Sequence, residues 1–322
     1  MYLIRLSTSK NMGRGHISRC IKLRNHINKE VIWFIDKNTK NDLVKIVKDR
    51  IIEENNLQSI SKTTKFALKY NVKAIIIDMQ NTENFIQNEI FNKKPIIVIV
   101  DKYLIVKNAL SICMHPLHIE EKNFISGLKY LPIEKKKQNK LNIKNILISF
   151  GNVDSNSITE KVIKTIIEIM QENVIKKNEY KIYIILGKYK KNAHLIRKMV
   201  SKQSNFIIFK NPINMSLFYK KCEFAFGSPG FSQIERLEYK IPTILIAQNT
   251  TQKKLLQHWQ KSGCALVVKP NYTDLKHKII LMFQSEEIKN NIRKSITKNI
   301  DNKGITRMVK KIESFINNFK NN

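Results

Sequence analysis

Cysteine is sparse in this 322-residue chain: Cys20, Cys113, Cys222 and Cys264 stand far apart, at no spacing that suits a metal or a redox pair. That excludes a disulfide-stapled fold and a structural zinc site, and it reads as buried thiols in a reducing compartment. Long apolar runs are lacking too. No stretch approaches the length of a membrane span, and the opening Met1-Tyr2-Leu3-Ile4-Arg5 breaks off too soon for a signal peptide, so a cytoplasmic location is expected. Arginine is scarce, only nine of the 58 basic residues. The formal charge of +32 would ordinarily point to nucleic acid, but the excess is lysine dispersed among Asn and Ile along the whole chain. A+T-rich codon usage produces such a pattern, and neither an arginine-aromatic groove nor a nucleic-acid module is visible. The expected partners are therefore small anionic ligands, with loose peripheral contact to an anionic membrane, and no nucleic acid.

What is present is an alternation of short β-branched apolar runs with amphipathic segments, the pattern of βα units on a parallel sheet covered on both faces. The first half predicts strands at Tyr2–Leu6, Val31–Ile35, Lys73–Ile77, Ile96–Val100 and Leu110–Cys113. Helices are predicted between them at Ile17–Ile27, Asn41–Val47, Ser61–Tyr70 and Glu83–Phe91. From Glu134 to Asn142 apolar content almost vanishes, which predicts a solvated linker between a first domain of residues 1–134 and a second of residues 143–322. The second half restarts with strands at Ile146–Phe150, Ile182–Leu186, Phe206–Phe209, Phe224–Phe226, Thr243–Ile246 and Ala265–Val268, and ends in a basic helical tail. Two Rossmann-like parallel-sheet domains facing a central cleft are the expected α/β architecture, with functional residues on loops that follow strands.

Three such loops carry candidate chemistry. After the first strand comes Gly13-Arg14-Gly15-His16: two glycines allow a tight backbone approach to a ligand, and the following helix offers unpaired N–H groups to an anion. His16 is the candidate general base. The loop Phe150-Gly151-Asn152-Val153-Asp154 holds the matching place in the second half, where the Gly151 and Asn152 backbone would face a pyrophosphate and Asp154 would cap the next helix. In the third, Ser228-Pro229-Gly230-Phe231-Ser232-Gln233-Ile234-Glu235, small residues admit phosphate to a helix start and the Glu235 carboxylate suits vicinal ribose hydroxyls. His26, His194, His258 and His277 lie on helix patterns without ligand spacing, whereas His115 and His118 flank Pro116 after a strand, where one of them could line the cleft.

Asn214-Met215, the loop ending in Glu235, Ile241-Pro242-Thr243 and Gln252 together resemble the nucleotide-sugar half of GT-B proteins. With Gly13-Arg14-Gly15-His16-Ile17-Ser18-Arg19-Cys20 and Gly127-Leu128-Lys129-Tyr130-Leu131-Pro132-Ile133 added, the chain resembles the UDP-sugar hydrolases of pseudaminic acid biosynthesis and their spore-coat polysaccharide relatives. The resemblance implies cleavage of the glycosyl–UDP bond of a UDP-2,4-diacetamido-2,4,6-trideoxyhexose by water, with no metal and no cofactor. It implies His16 as the residue that activates or orients water, Glu235 on the ribose, the turn around Pro212–Met215, with Asn214 and Met215, presenting backbone to uracil, and Gln252 on sugar or phosphate. Gly13, Gly15, Gly151, Asn152, Ser228 and Gly230 would line the nucleotide. Four positions depart from the family: Met79 and Gln80 after Asp78 replace His and Tyr, Thr251 replaces Asn, and Asn152 replaces Gly. Asp78 and Thr251 would lie on the sugar side. The alternative is a glycosyltransferase with the same donor, in which an acceptor hydroxyl replaces water; a non-catalytic nucleotide-sugar binder or a nucleic-acid binder is the third class.

Overall fold

The computed structural model describes residues 1–7, 15–43, 46–54, 60–79, 90–117, 119, 121–138, 144–154, 156–176, 179–212 and 214–319. It divides into two compact units, Met1–Pro132 with the chain from Asn302 onward, and Ile133–Asp301.

The first unit runs β1 (Tyr2–Leu6), α1 (Gly15–Arg24), β2 (Val31–Ile35), α2 (Lys37–Leu43), β3 (Arg50–Glu53), α3 (Ile60–Lys69), β4 (Ala74–Asp78), α4 (Ile90–Lys93), β5 (Ile96–Val100), β6 (Ala109–Cys113) and β7 (Phe124–Ile125). All seven strands are parallel, in the order β3-β2-β1-β4-β5-β6-β7. β1, β2, β4, β5 and β6 are buried at every position, which is why they read as continuous apolar runs instead of alternating ones. Because the chain winds outward from β1 in one direction and from β4 in the other, the connections that follow these two paired strands part at their carboxyl ends and open the crevice where open parallel sheets hold ligands.

The second unit repeats the plan with β8 (Lys144–Ser149), α5 (Ile158–Gln171), β9 (Tyr180–Leu186), α6 (Ala193–Val200), β10 (Phe206–Lys210), α7 (Ser216–Tyr219), β11 (Cys222–Gly227), α8 (Phe231–Glu238), β12 (Thr243–Leu245), α9 (Thr250–Ser262), β13 (Leu266–Val267), α10 (Tyr272–Gln284) and α11 (Glu286–Asn299). Its six parallel strands lie in the order β10-β9-β8-β11-β12-β13, so the corresponding crevice opens between β8 and β11. Side chains cap several of its helices, the cap expected at Asp154 among them. Asn249 accepts from the Gln252 N–H, Asn271 from Asp274, Ser285 from Ile288, and Asp154 from both Ile158 and Thr159.

Several sequence expectations need correction. β3 and β7 are absent from the predicted strands, because edge strands of four and two residues carry too little pattern to be read. α2 begins four residues before its predicted start, since the Asp36 carboxylate accepts from both the N–H and the hydroxyl of Thr39 and so starts the helix there. Most of the helix expected at Glu83–Phe91 lies outside the described residues, as do residues 139–142 of the expected linker. The described start of that linker is not merely solvated: the Gln138 amide donates to the carbonyls of Cys222 (2.7 Å) and Tyr219 (3.3 Å), and Lys136 pairs with Glu238 at 3.0 Å.

The second domain also does not extend to residue 322. The last helix, α12 (Gly304–Phe319), belongs to the first unit: its buried Ile305, Met308, Ile312 and Ile316 form an apolar stripe against α1 and the turn at Leu128–Tyr130, and Arg307 donates to the Lys129 carbonyl at 2.9 Å.

Among the described residues no helix is long and apolar enough to cross a membrane.

The turn after β8 approaches the end of β9 closely enough to exclude any side chain at Gly187. A methyl there would sit 2.2 Å from the Gly151 carbonyl oxygen and 2.4 Å from the Asn152 Cα. Gly187→Ala is expected to destabilise the second unit by roughly 1–3 kcal/mol, read as a lower urea midpoint, because the obstructing atoms are backbone.

Candidate functional site

The crevice between β1 and β4 assembles a charged cluster. His16 lies at the second position of α1, directly after the β1 loop, and Asp78 is the last residue of β4, so strand pairing brings together two residues 62 positions apart. His16 Nδ1 is 2.6 Å from Asp78 Oδ1. Arg19, one helical turn further along α1, grips the same carboxylate at both oxygens, Nη2 to Oδ1 at 2.5 Å and Nε to Oδ2 at 2.7 Å. The Cys20 thiol donates to Oδ2 at 3.3 Å.

Asp78 is 0% exposed and Arg19 3%. Burial by itself would raise the Asp78 carboxyl, but the charges and hydrogen bonds of Arg19 and His16 outweigh it and bring the group from its ordinary 3.8 down to about 2. The same burial, next to an ionised carboxylate, pushes the Cys20 thiol up and leaves it protonated. An ionised Asp78 can only accept, so Nδ1 of His16 carries its proton toward it; the Arg19 Nη2 atom, 2.9 Å from Nδ1, sits beside it as the carboxylate's other donor. The Nε2 lone pair of His16 is then free to take a proton, on a side chain that keeps 15% of its surface exposed.

Asp101, just beyond β5, completes the cluster and was not singled out by the sequence reading. Arg19 Nη1 pairs with its Oδ1, His115 Nε2 lies 3.5 Å from the same oxygen, and its Oδ2 is 3.9 Å from His16 Nε2. Burial against these groups would raise its carboxyl, yet Arg19 and the two imidazoles hold it well below the usual range, while 45% of the side chain remains open to solvent. The site therefore presents a partly exposed carboxylate, favoured in its ionised form by Arg19, 3.9 Å from the imidazole Nε2. His115, one of two histidines expected near the site, is 4% exposed and sits behind Asp101; His118 lies outside the described residues.

The expectation for Asp78 changes accordingly. A side-chain carboxylate with no exposure and both oxygens occupied cannot face a sugar; it orients His16 instead. Gly15 is the first residue of α1, and Gly13 lies outside the described residues.

In the second unit, the loops after β8, β11 and β12 converge on Gln248, another residue the sequence reading passed over. Its amide Nε2 donates to the Phe150 carbonyl (2.6 Å) and to Ser228 Oγ (2.5 Å), and its backbone N–H donates to Gln252 Oε1 (2.8 Å). One side chain thus ties together the neighbourhoods of Gly151, Ser228 and Gln252. Gly151 takes φ +83°, and the Asn152 carbonyl accepts from Tyr189. Gly230 forms the start of α8 with no side chain capping it, and the space beside its Cα is open. Glu235 is half-buried and accepts from the Tyr219 hydroxyl at 3.2 Å. Thr251 is exposed.

Two residues expected at the base-binding turn are used locally. Asn214 Oδ1 accepts from the N–H (3.0 Å) and hydroxyl (2.6 Å) of Ser216, starting α7, and Met215 packs against the cluster of Leu147, Ile185, Tyr219 and Tyr239. Among the described residues no set of three His, Cys, Asp or Glu side chains is grouped as a metal site.

No protein-family model matches the chain. An uncharacterized protein of Methanocaldococcus jannaschii is 30% identical over 288 residues, covering 79% of this chain and 57% of the archaeal protein. The chain thus spans little more than half the length of that relative. Solved structures match over nearly the whole length. The S. aureus MnaA–UDP co-structure superposes with TM-score 0.70 at 12% identity, covering 98% of this chain and 96% of that one. Acinetobacter baumannii MurG gives TM-score 0.68 at 10% identity over 97% and 99% of the two chains, and a Rickettsia africae glycosyltransferase 0.68 at 13% over 98% of each. With two parallel-sheet α/β units of seven and six strands, the chain has the GT-B fold.

A carboxyl depressed in the folded state stabilises that state above its unfolded pKa and withdraws the contribution as pH falls through the folded value. For Asp78 this window runs from near 4 down to about 2. Asp78→Asn is expected to reduce the loss of stability between pH 4 and pH 2 by about 2 kcal/mol, measured by urea unfolding at both pH values.

Proposed function

We propose that the chain is an enzyme of glycan biosynthesis acting on a UDP-amino sugar, a hydrolase that cleaves the glycosyl–UDP bond of a UDP-2,4-diacetamido-2,4,6-trideoxyhexose on the way to a pseudaminic-type nonulosonic acid. The observation that carries this reading is the His16–Asp78 pair at the β1/β4 crevice, with a basic Nε2 beside the open carboxylate of Asp101. Two of the three similar structures named above strengthen it in part, one holding UDP and another being a glycosyltransferase.

In this mechanism the loops after β8 and β11 hold UDP and His16 supplies the base. Backbone at Gly151, Asn152, Ser228 and Gly230 receives the diphosphate, the uncapped start of α8 adding its partial positive charge. Glu235, steadied by the Tyr219 hydroxyl, takes the ribose hydroxyls, and Gln252 reaches sugar or phosphate. Gly13 and Gly15 shape the loop that leads to His16. Nε2 of His16 accepts a proton from water as the water oxygen bonds to the anomeric carbon; the bond from that carbon to the UDP oxygen breaks, and its electron pair departs with UDP. Asp78 holds the imidazole in the tautomer this needs and stabilises the imidazolium formed. The proton then passes to solvent. No metal or cofactor enters the scheme, and the reading places the enzyme in the cytoplasm.

A glycosyltransferase is the second reading, favoured by the likeness to the Rickettsia africae glycosyltransferase; there the same imidazole deprotonates an acceptor hydroxyl.

Incubation of the purified protein with a panel of UDP-amino sugars is expected to release UDP without any acceptor; release that requires an acceptor would establish the transferase instead. His16→Ala should lower kcat by roughly 10²–10⁴-fold while UDP affinity stays within a few-fold, and unchanged turnover would remove His16 from the chemistry. Glu235→Ala should weaken UDP binding in calorimetry, and equal affinity would reject its ribose role.

A further inference from the structure

Arg236 is 0% exposed, and among the described residues it has no carboxylate within ion-pairing distance. Its guanidinium lies beneath the loop between β11 and α8. Nη2 donates to the Ser228 carbonyl at 2.9 Å and Nε to Gln233 Oε1 at 2.9 Å, while Nη1 has no hydrogen-bond partner. Gln233, also 0% exposed, leaves its own Nε2 unpartnered. Gly227 is bare to admit the group, since a Cβ there would stand 2.5 Å from Nη1.

An arginine in the interior normally meets a carboxylate, because desolvating a cation without a counter-charge is costly. Here Glu235 favours the charge without a direct ion pair, through the Tyr219 hydroxyl that it holds, while the start of α8 carries no side-chain cap and the space beside Gly230 is open. The apolar surroundings that make it expensive also let its field reach the loop with little screening.

We infer that Arg236 is a positioning residue for a nucleoside diphosphate: it fixes the Ser228 carbonyl and places a buried positive charge under the diphosphate seat at the start of α8. The ligand's diphosphate then supplies the direct counter-charge that Glu235, held by the Tyr219 hydroxyl, does not. This deepens the nucleotide-binding reading above and rests on it. The charge makes the site select for phosphate, whereas uracil and ribose are recognised elsewhere.

The test compares binding of UDP, by calorimetry, with binding of uridine, by ligand-detected NMR, to the full-length chain. Arg236→Gln keeps a donor for the Ser228 carbonyl and removes the charge; it is expected to lose UDP affinity by about tenfold or more with uridine affinity within twofold. Arg236→Lys keeps the charge and should retain UDP binding within a few-fold. Should Arg236→Gln not fold, Gly227→Ala, which displaces the guanidinium with a methyl, should give the same selective loss. Wild-type UDP affinity in Arg236→Gln, or equal losses for UDP and uridine, would overturn the inference. A folded wild-type protein that does not bind UDP would overturn the nucleotide reading itself, whatever Arg236 does.

Discussion

A carboxylate with no access to water has to be neutralised by its neighbours, and at Asp78 that requirement organises the first unit's site. Arg19 occupies both oxygens, His16 takes one of them, and the Cys20 thiol fills the remaining space. Each partner comes from α1, so the helix is locked to the end of β4 by charge as well as by its apolar face. Arg19 then has one nitrogen left for Asp101, which draws a second carboxylate to the rim. The position and tautomer of the imidazole follow from this chain of compensation.

The second unit holds three loops in one place, and buried Lys190 secures the one after β8 by pairing with Asp154 at 2.9 Å and Glu160 at 2.7 Å. Gln248 adds a neutral bridge between the ends of β8, β11 and β12, and the glycines at 187 and 227 let backbone and guanidinium approach. The two units differ accordingly, the first gathering charged groups at the ends of β1, β4 and β5, the second leaving the start of α8 without a side-chain cap. Parallel sheets make both possible, since every strand delivers its carboxyl end to the same edge.

Much of the fold was legible because strands buried on both faces leave unbroken apolar runs, as at Ile96–Val100. β3 and β7 escaped notice because four and two residues are too few to show a period. His16 could be picked out because its chemistry is local, a titratable ring at a glycine-flanked helix start. Asp78 was noticed but given the wrong direction: its partner is 62 positions away, and only the adjacency of β1 and β4 reveals that they touch. Asp101 could have been found by asking which carboxylates directly follow apolar runs, the rule that places side chains at the functional edge of such a sheet. Arg236 left a fainter signal, one of nine arginines standing among apolar residues in a lysine-rich chain. Gln248 left none, since an amide that bridges three loops looks like any loop glutamine.

The return of α12 to the first unit has a consequence for how the chain is made. The residues from Ile133 to Asp301 hold everything their own sheet needs, so that unit can fold as soon as it leaves the ribosome. The unit synthesised first must wait longest: until α12 emerges, the faces of α1 and of the turn at Leu128–Tyr130 that it covers stay uncovered. During that interval the nascent chain carries an uncovered apolar surface, and the half that bears His16 is completed last.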